Sequence, residues 1–177
     1  KLFKAIILLD PTLFTPKIIF FWKLFKYLGL QNRIHPWLTG TLNRKMEYEN
    51  IEEVFKSYRR KNVFSKIDDK NLHIYINSLV KKNDNKHIIN YSKSHEYQIY
   101  KTGLLKDSAI WKGIRNLDIP CLIIRPEVSN AFLDSSENKI KRLNPKIQFT
   151  KIKNSTHLFP LEYPDKTLNI INNFIYS

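Results

Sequence analysis

The residue best suited to chemistry is His157, in the stretch "NSTHLFPLEYPDKTLNIINNF" over residues 154–174. An imidazole with an ordinary pKa near ~6.5 can take a proton from a nucleophile and return it to a leaving group near neutral pH. A polar loop between a strand and a closing helix would let the ring reach the strand ends, where α/β sheets place their sites. On pattern alone, a loop histidine bonding its own backbone is an equal reading. Glu162, five residues on, reads as a structural group that orders the loop or the start of the last helix. His35, His73, His87 and His95 show no metal-ligand spacing with one another or with Cys121, and "HEYQIY" lacks the second histidine of a zinc helix. Cys121 lies inside an apolar run and reads as core rather than nucleophile. No metal and no cofactor is expected.

The elements that must position His157 follow from hydrophobic patterning. "AIILLD" is a short apolar run closed by Asp10 and Pro11, as in a strand buried on both faces. "PKIIFFWKLFKYLGL" reads as a helix with Pro16 in its first turn and Gly29 at its end. From His35 to about Asp118 the pattern is helical: "NIEEVFKSYRRK" with Asn50 as N-cap, "NLHIYINSLVKK", "HEYQIYKTGLL" and "SAIWKGI". The pattern changes at Pro120. "CLIIR" and "KIQFTKI" are strands, "DSSENKIKRL" and "PDKTLNIINNFI" helices. Strands alternating with helices predict a parallel α/β sheet. The roughly hundred residues between the first two strands exceed an ordinary crossover and predict an all-helical cap. The expected division is a core strand over 1–14, the cap over 15–118 and the rest of the core over 119–177. Three strands are few for such a sheet, so the chain is expected to be the C-terminal portion of a larger domain.

Composition narrows the classes. Hydrophobic residues make up 42% of the 177 and aromatics 13%, enough for a sizeable core. The net charge is +14, but the excess is nearly all lysine, scattered singly among Ile and Asn. With no arginine-rich run or basic–aromatic repeat, specific nucleic-acid binding is not expected. Lys17, Lys23 and Lys26 on the first helix are a weak signal for anionic lipid. The most apolar stretch is interrupted by charges and prolines, so no transmembrane segment is expected. A single cysteine excludes an intrachain disulfide and fits a reducing, cytoplasmic setting.

Over nearly its whole length the sequence resembles the α/β-hydrolase family, from that fold's sixth strand to its last helix. "LFKAIILLDP" resembles the strand after the nucleophile helix and "IPCLIIRPEVS" the next core strand. "FTKIKNSTHLFPLEYPDKTLNIINNF" resembles the last strand, histidine loop and closing helix. The middle region resembles a lid. The resemblance implies a hydrolase cleaving an ester or related bond with a nucleophile, an acid and His157 as its triad. It implies an elbow of the G-x-S-x-G kind. No Ser, Cys or Asp here is followed by Gly two residues later, so the nucleophile is expected upstream of Lys1, and residues 1–177 alone are expected to be inactive.

The family's usual acid position follows "CLIIR", where this chain has Ser129, which carries no charge. Some members, certain haloalkane dehalogenases among them, carry the acid at the end of the sixth strand. Asp10 stands there and is the favoured acid, ahead of Glu127 and Asp134; a turn-forming Asp before Pro11 is the plain alternative. "FFWKLFKY" and "HPWL" could line an apolar pocket for a small-molecule substrate or simply pack the lid on the core. A non-catalytic binding protein on the same fold is the alternative function.

Overall fold

The computed structural model describes residues 3–30, 40–102 and 107–176, with the side chains of 107 and 108 excepted. "HPWL", with His35, and Gly103–Leu105 of the "HEYQIYKTGLL" segment lie outside the described residues. Three strands build the main sheet: β1 (Ile6–Leu9), β5 (Cys121–Pro126) and β6 (Gln148–Ile152), in the order β1-β5-β6, all parallel. Ile6 pairs with Cys121 and Leu9 with Ile124; Leu122 pairs with Gln148 and Pro126 with Ile152.

β5 is the central strand, and all six of its residues are buried. Alternation splits it between two layers. Cys121 and Ile123 face a core of Leu13, Ile19, Trp111, Phe132, Ile140 and Ile147. Leu122 and Ile124 face Ile152 and Phe159, with Ile170, Ile171 and Phe174 of the terminal helix packed against them. Arg125 follows the first parity. It is only 3% exposed, and its Nη1 donates to Asp134 Oδ1 and Glu137 Oε2, each at 2.5 Å. Both carboxylates come from the first turn of the helix Asp134–Leu143, which the buried guanidinium thereby ties to the sheet.

Between β1 and β5 come α1 (Pro16–Tyr27), β2 (Glu47–Tyr48), α2 (Ile51–Arg59), α3 (Asp69–Leu79), β3 (Val80–Asn83), β4 (Lys86–Ile89), α4 (Lys93–Thr102) and α5 (Asp107–Arg115). After β5 come α6 (Asp134–Leu143), then β6, then α7 (Phe159–Glu162) and α8 (Pro164–Tyr176). The local signals act as read. Pro16 opens α1, and Gly29 follows its end at φ 70. Asn50 caps α2 by accepting the Glu53 N–H at 2.9 Å.

The intervening segment is not all-helical, which corrects the expectation from sequence. β2, β4 and β3 form a three-stranded antiparallel sheet. α3 stops at Leu79 because Val80 turns extended, at φ −104 and ψ 136. Asp84 adopts φ 50 in the two-residue turn Asp84–Asn85, and Val80–Asn83 pairs back on Lys86–Ile89. Lys81, Lys82 and Lys86 deny these strands an apolar run, so "LVKK" reads as the tail of a helix. A second core of Tyr48, Val54, Tyr58, Phe64, Ile67, Leu72, Ile76 and Ile89 fills this segment. Leu158 and Leu161, on either side of the start of α7, pack against it. The segment is thereby seated on the loop that carries His157.

Candidate active site

Asp10 is the residue after β1. Its N–H donates to Ile124 O at 2.8 Å, which continues the parallel ladder by one step. It then leaves the sheet at φ 41, a left-handed conformation that Asp tolerates better than most residues. The side chain is buried, and its Oδ2 lies 2.7 Å from His157 Nδ1. An ionised carboxylate only accepts, so Nδ1 carries the proton and Nε2 is left as the basic nitrogen. The His157 side chain is 51% exposed, and Nε2 makes no hydrogen bond among the described residues. The hydrogen bond to Asp10 raises the His157 pKa above the ordinary imidazole value; burial opposes the rise, and the Asp10 charge adds to it.

The histidine loop is tied down on both sides of the ring. Asn154 sits at φ 57, and its N–H donates to Glu127 Oε2 at 2.7 Å. Ser155 Oγ donates to Ile152 O at 2.7 Å. Thr156 donates its N–H to Glu162 Oε2 at 2.8 Å and its hydroxyl to Glu162 Oε1. Glu162 is therefore the staple of the loop, as its position suggested. Lys66 reaches across from the intervening segment and donates to Asn154 O at 2.9 Å.

The structure separates the candidate acids. Glu127 holds the Asn154 N–H, and Asp134 holds Arg125 while its side chain stays 77% exposed. Asp10 is the carboxylate in contact with His157. Ser129 acts on the same atom. Its Oγ accepts the N–H groups of Ala131 at 3.1 Å and Phe132 at 2.9 Å, and donates to Asp10 Oδ2 at 2.8 Å. With both lone pairs occupied, the hydroxyl proton is directed at Asp10. This donor role was missed in the sequence. The local signal was a serine followed by amides two and three residues on, the pattern of a Ser turn.

Asp10 Oδ2 thus receives two hydrogen bonds, while the buried Oδ1 has no partner among the described residues. Ser129→Ala would leave the Ala131 and Phe132 N–H groups without their acceptor and Asp10 without one donor. We expect it to lower unfolding free energy by about 1–3 kcal/mol, read from denaturant midpoints.

Among the described residues no group of His, Cys, Asp and Glu is placed to hold a metal ion. Cys121 is buried in β5, and burial pushes its thiol pKa up, away from the nucleophilic thiolate. Among the described residues no helix is long and apolar enough to cross a membrane.

No family model matches the sequence, and no curated protein is significantly similar to it. Solved structures match strongly. An E-2-(acetamidomethylene)succinate hydrolase matches over 98% of this chain with 20% identity and a TM-score of 0.73. A peroxisomal α/β-hydrolase of Saccharomyces cerevisiae matches over 99% with 17% identity and a TM-score of 0.76. An esterase of M. tuberculosis matches over 98% with 13% identity and a TM-score of 0.65. The chain covers 58%, 46% and 55% of those three proteins, so it spans about half their length. At such identities the likeness speaks for the fold. The parallel sheet β1-β5-β6, its flanking helices and the segment inserted after β1 are those of the α/β-hydrolase fold, over about half of its extent.

Proposed function

We propose that this chain is the histidine- and acid-bearing part of a hydrolase that cleaves an ester or related small-molecule bond. The observation that carries the proposal is the 2.7 Å hydrogen bond from His157 Nδ1 to the buried Asp10. It fixes one tautomer, keeps Nε2 available as a base and stabilises the imidazolium formed when that base takes a proton. Asp10 is the acid, Ser129 orients it, and Glu127 and Asp134 serve structure. A nucleophile on a segment preceding Lys1 attacks the electrophilic carbon as His157 Nε2 takes its proton. The imidazolium then protonates the leaving group, and a water activated by the same nitrogen releases the intermediate.

Residues 15–118 carry the cap, while Ile19 and Trp111 within that range pack in the core of the main sheet. Phe20, Phe21 and Leu24 are exposed on α1 and suit an apolar acyl group. The single buried cysteine accords with action in a reducing compartment such as the cytoplasm. An uncharged Ser129 at the usual acid position is what would favour a non-catalytic binding protein. The carboxylate supplied by Asp10 removes that support.

The test compares two preparations on p-nitrophenyl esters of graded chain length. Residues 1–177 alone are expected to hydrolyse none faster than buffer, and the full-length protein to hydrolyse the short and medium chains. Turnover by residues 1–177 that survives His157→Ala would overturn the proposal, as would a full-length protein inert on all of them.

A further inference from the structure

A second polar cleft lies within the segment between β1 and β5. It encloses about 400 Å³ and is lined by Arg44, Lys45, Tyr48, Ser57, Lys61 and Tyr100. Three cations thus meet in one concavity. Two of them are matched. Arg44 forms a bidentate pair with Glu96, at 2.8 and 3.1 Å, and Lys45 bonds Glu53 at 2.6 Å. Lys61 is not matched: it is half-buried, and among the described residues no carboxylate lies within ion-pair distance of it. Its ammonium rests over the Tyr58 ring at 4.0 Å, which compensates part of the lost hydration. Burial and then the Arg44 charge lower the Lys61 pKa, and the Glu96 charge offsets this in part.

Two hydroxyls, those of Tyr48 and Ser57, line the same cleft as Lys61. Tyr48 Oη and Ser57 Oγ are 3.3 Å apart, and either can donate to the other. Tyr48 Oη also lies 3.4 Å from Lys45 O, so the Ser57 proton can turn outward with the contact kept when Tyr48 donates to Ser57. Three cations against two carboxylates leave one positive charge in a partly desolvated cleft, where a charge-assisted hydrogen bond is strong.

We propose that this cleft binds a small oxyanion, a phosphate ester or a carboxylate, with Lys61 as its charge partner and Tyr48 or Ser57 as hydroxyl donor. The site does not depend on the Asp10–His157 reading. Lys61 meets the anion as a point charge, and the paired Arg44 and Lys45 add field without giving up their own partners.

The test titrates the intact protein with inorganic phosphate and, separately, with acetate, at constant ionic strength set with chloride. Chemical shifts of the Ser57 and Lys61 amides are followed by NMR. Saturable shifts are expected with at least one anion. Phosphate alone identifies a phosphate-ester site; saturation by acetate identifies a carboxylate site. Lys61→Met should weaken binding by about tenfold or more, and Lys61→Arg should restore most of it. Ser57→Ala should weaken it severalfold, and His157→Ala should not change it. The double variant Lys81→Met/Lys82→Met, on exposed β3, controls for diffuse charge. Absence of saturation with both anions overturns the proposal. So does a Lys61→Met variant that binds like the parent, or a control that loses as much as Lys61→Met.

Discussion

In a longer protein that supplies the proposed nucleophile, His157→Ala is expected to lower kcat/KM for ester hydrolysis by a factor on the order of 10⁴, with circular dichroism unchanged. The ring is half-exposed and contributes one tertiary hydrogen bond, so its loss should cost little stability. It would remove the group that both takes and returns the proton, which is why the effect on rate is large. The pH profile is a second readout. The base must be neutral to act, so activity should rise with pH through the His157 pKa. Because the hydrogen bond to Asp10 raises that pKa, the acid limb should lie above the ordinary imidazole value of about 6.5. A loss below about tenfold would remove His157 from the catalytic role proposed for it.

Asp10→Asn is expected to lower kcat by a factor on the order of 10³–10⁴. Unlike the carboxylate, an amide can present its NH₂ to Nδ1. That arrangement would place the imidazole proton on Nε2, where the base is needed. The acid limb of the pH profile should also move down, since the hydrogen bond that raises the His157 pKa is lost. NMR titration of the His157 ring checks this independently of turnover. An unmoved His157 titration, or kcat within about tenfold of the parent, would exclude Asp10 as the acid.

Stability carries the same signature. A histidine whose pKa is higher folded than unfolded adds stability that is fully present below the unfolded value. That contribution is lost as pH rises through the folded value. The stability gap between the parent and Asp10→Asn should therefore be wider at about pH 5.5 than at about pH 9, measured by urea unfolding.

Much of the frame is legible in the sequence because its signals are local. The apolar runs ending at Asp10 and around Cys121 mark strands through composition and breakers alone, and Asn50, Pro16 and Gly29 mark helix ends through backbone chemistry. Glu162 is legible as a loop-ordering group because its partner, Thr156, is six residues away. The β2-β4-β3 sheet is not legible in the same way. Its strands are short and rich in lysine, and what makes them strands is pairing with one another, a property of the folded segment.

The site itself divides along the same line. His157 and its loop are set by the chain's own pattern, and Asp10 stands as a candidate because it closes a buried strand. Which carboxylate meets the ring depends on β1 and β6 lying on opposite sides of β5, so that residues 147 apart in sequence come within 2.7 Å. Ser129 changes from a vacant acid position to a donor on Asp10 for the same reason, across 119 residues. The unmatched Lys61 is likewise defined by where Glu96 and Glu53 find their partners. Periodicity and capping act over a few residues and are written in the sequence. Hydrogen bonds between distant side chains depend on strand order, which is settled when the sheet assembles around the buried β5, leaving Leu8 and Leu9 of β1 partly exposed where the sequence suggested burial on both faces.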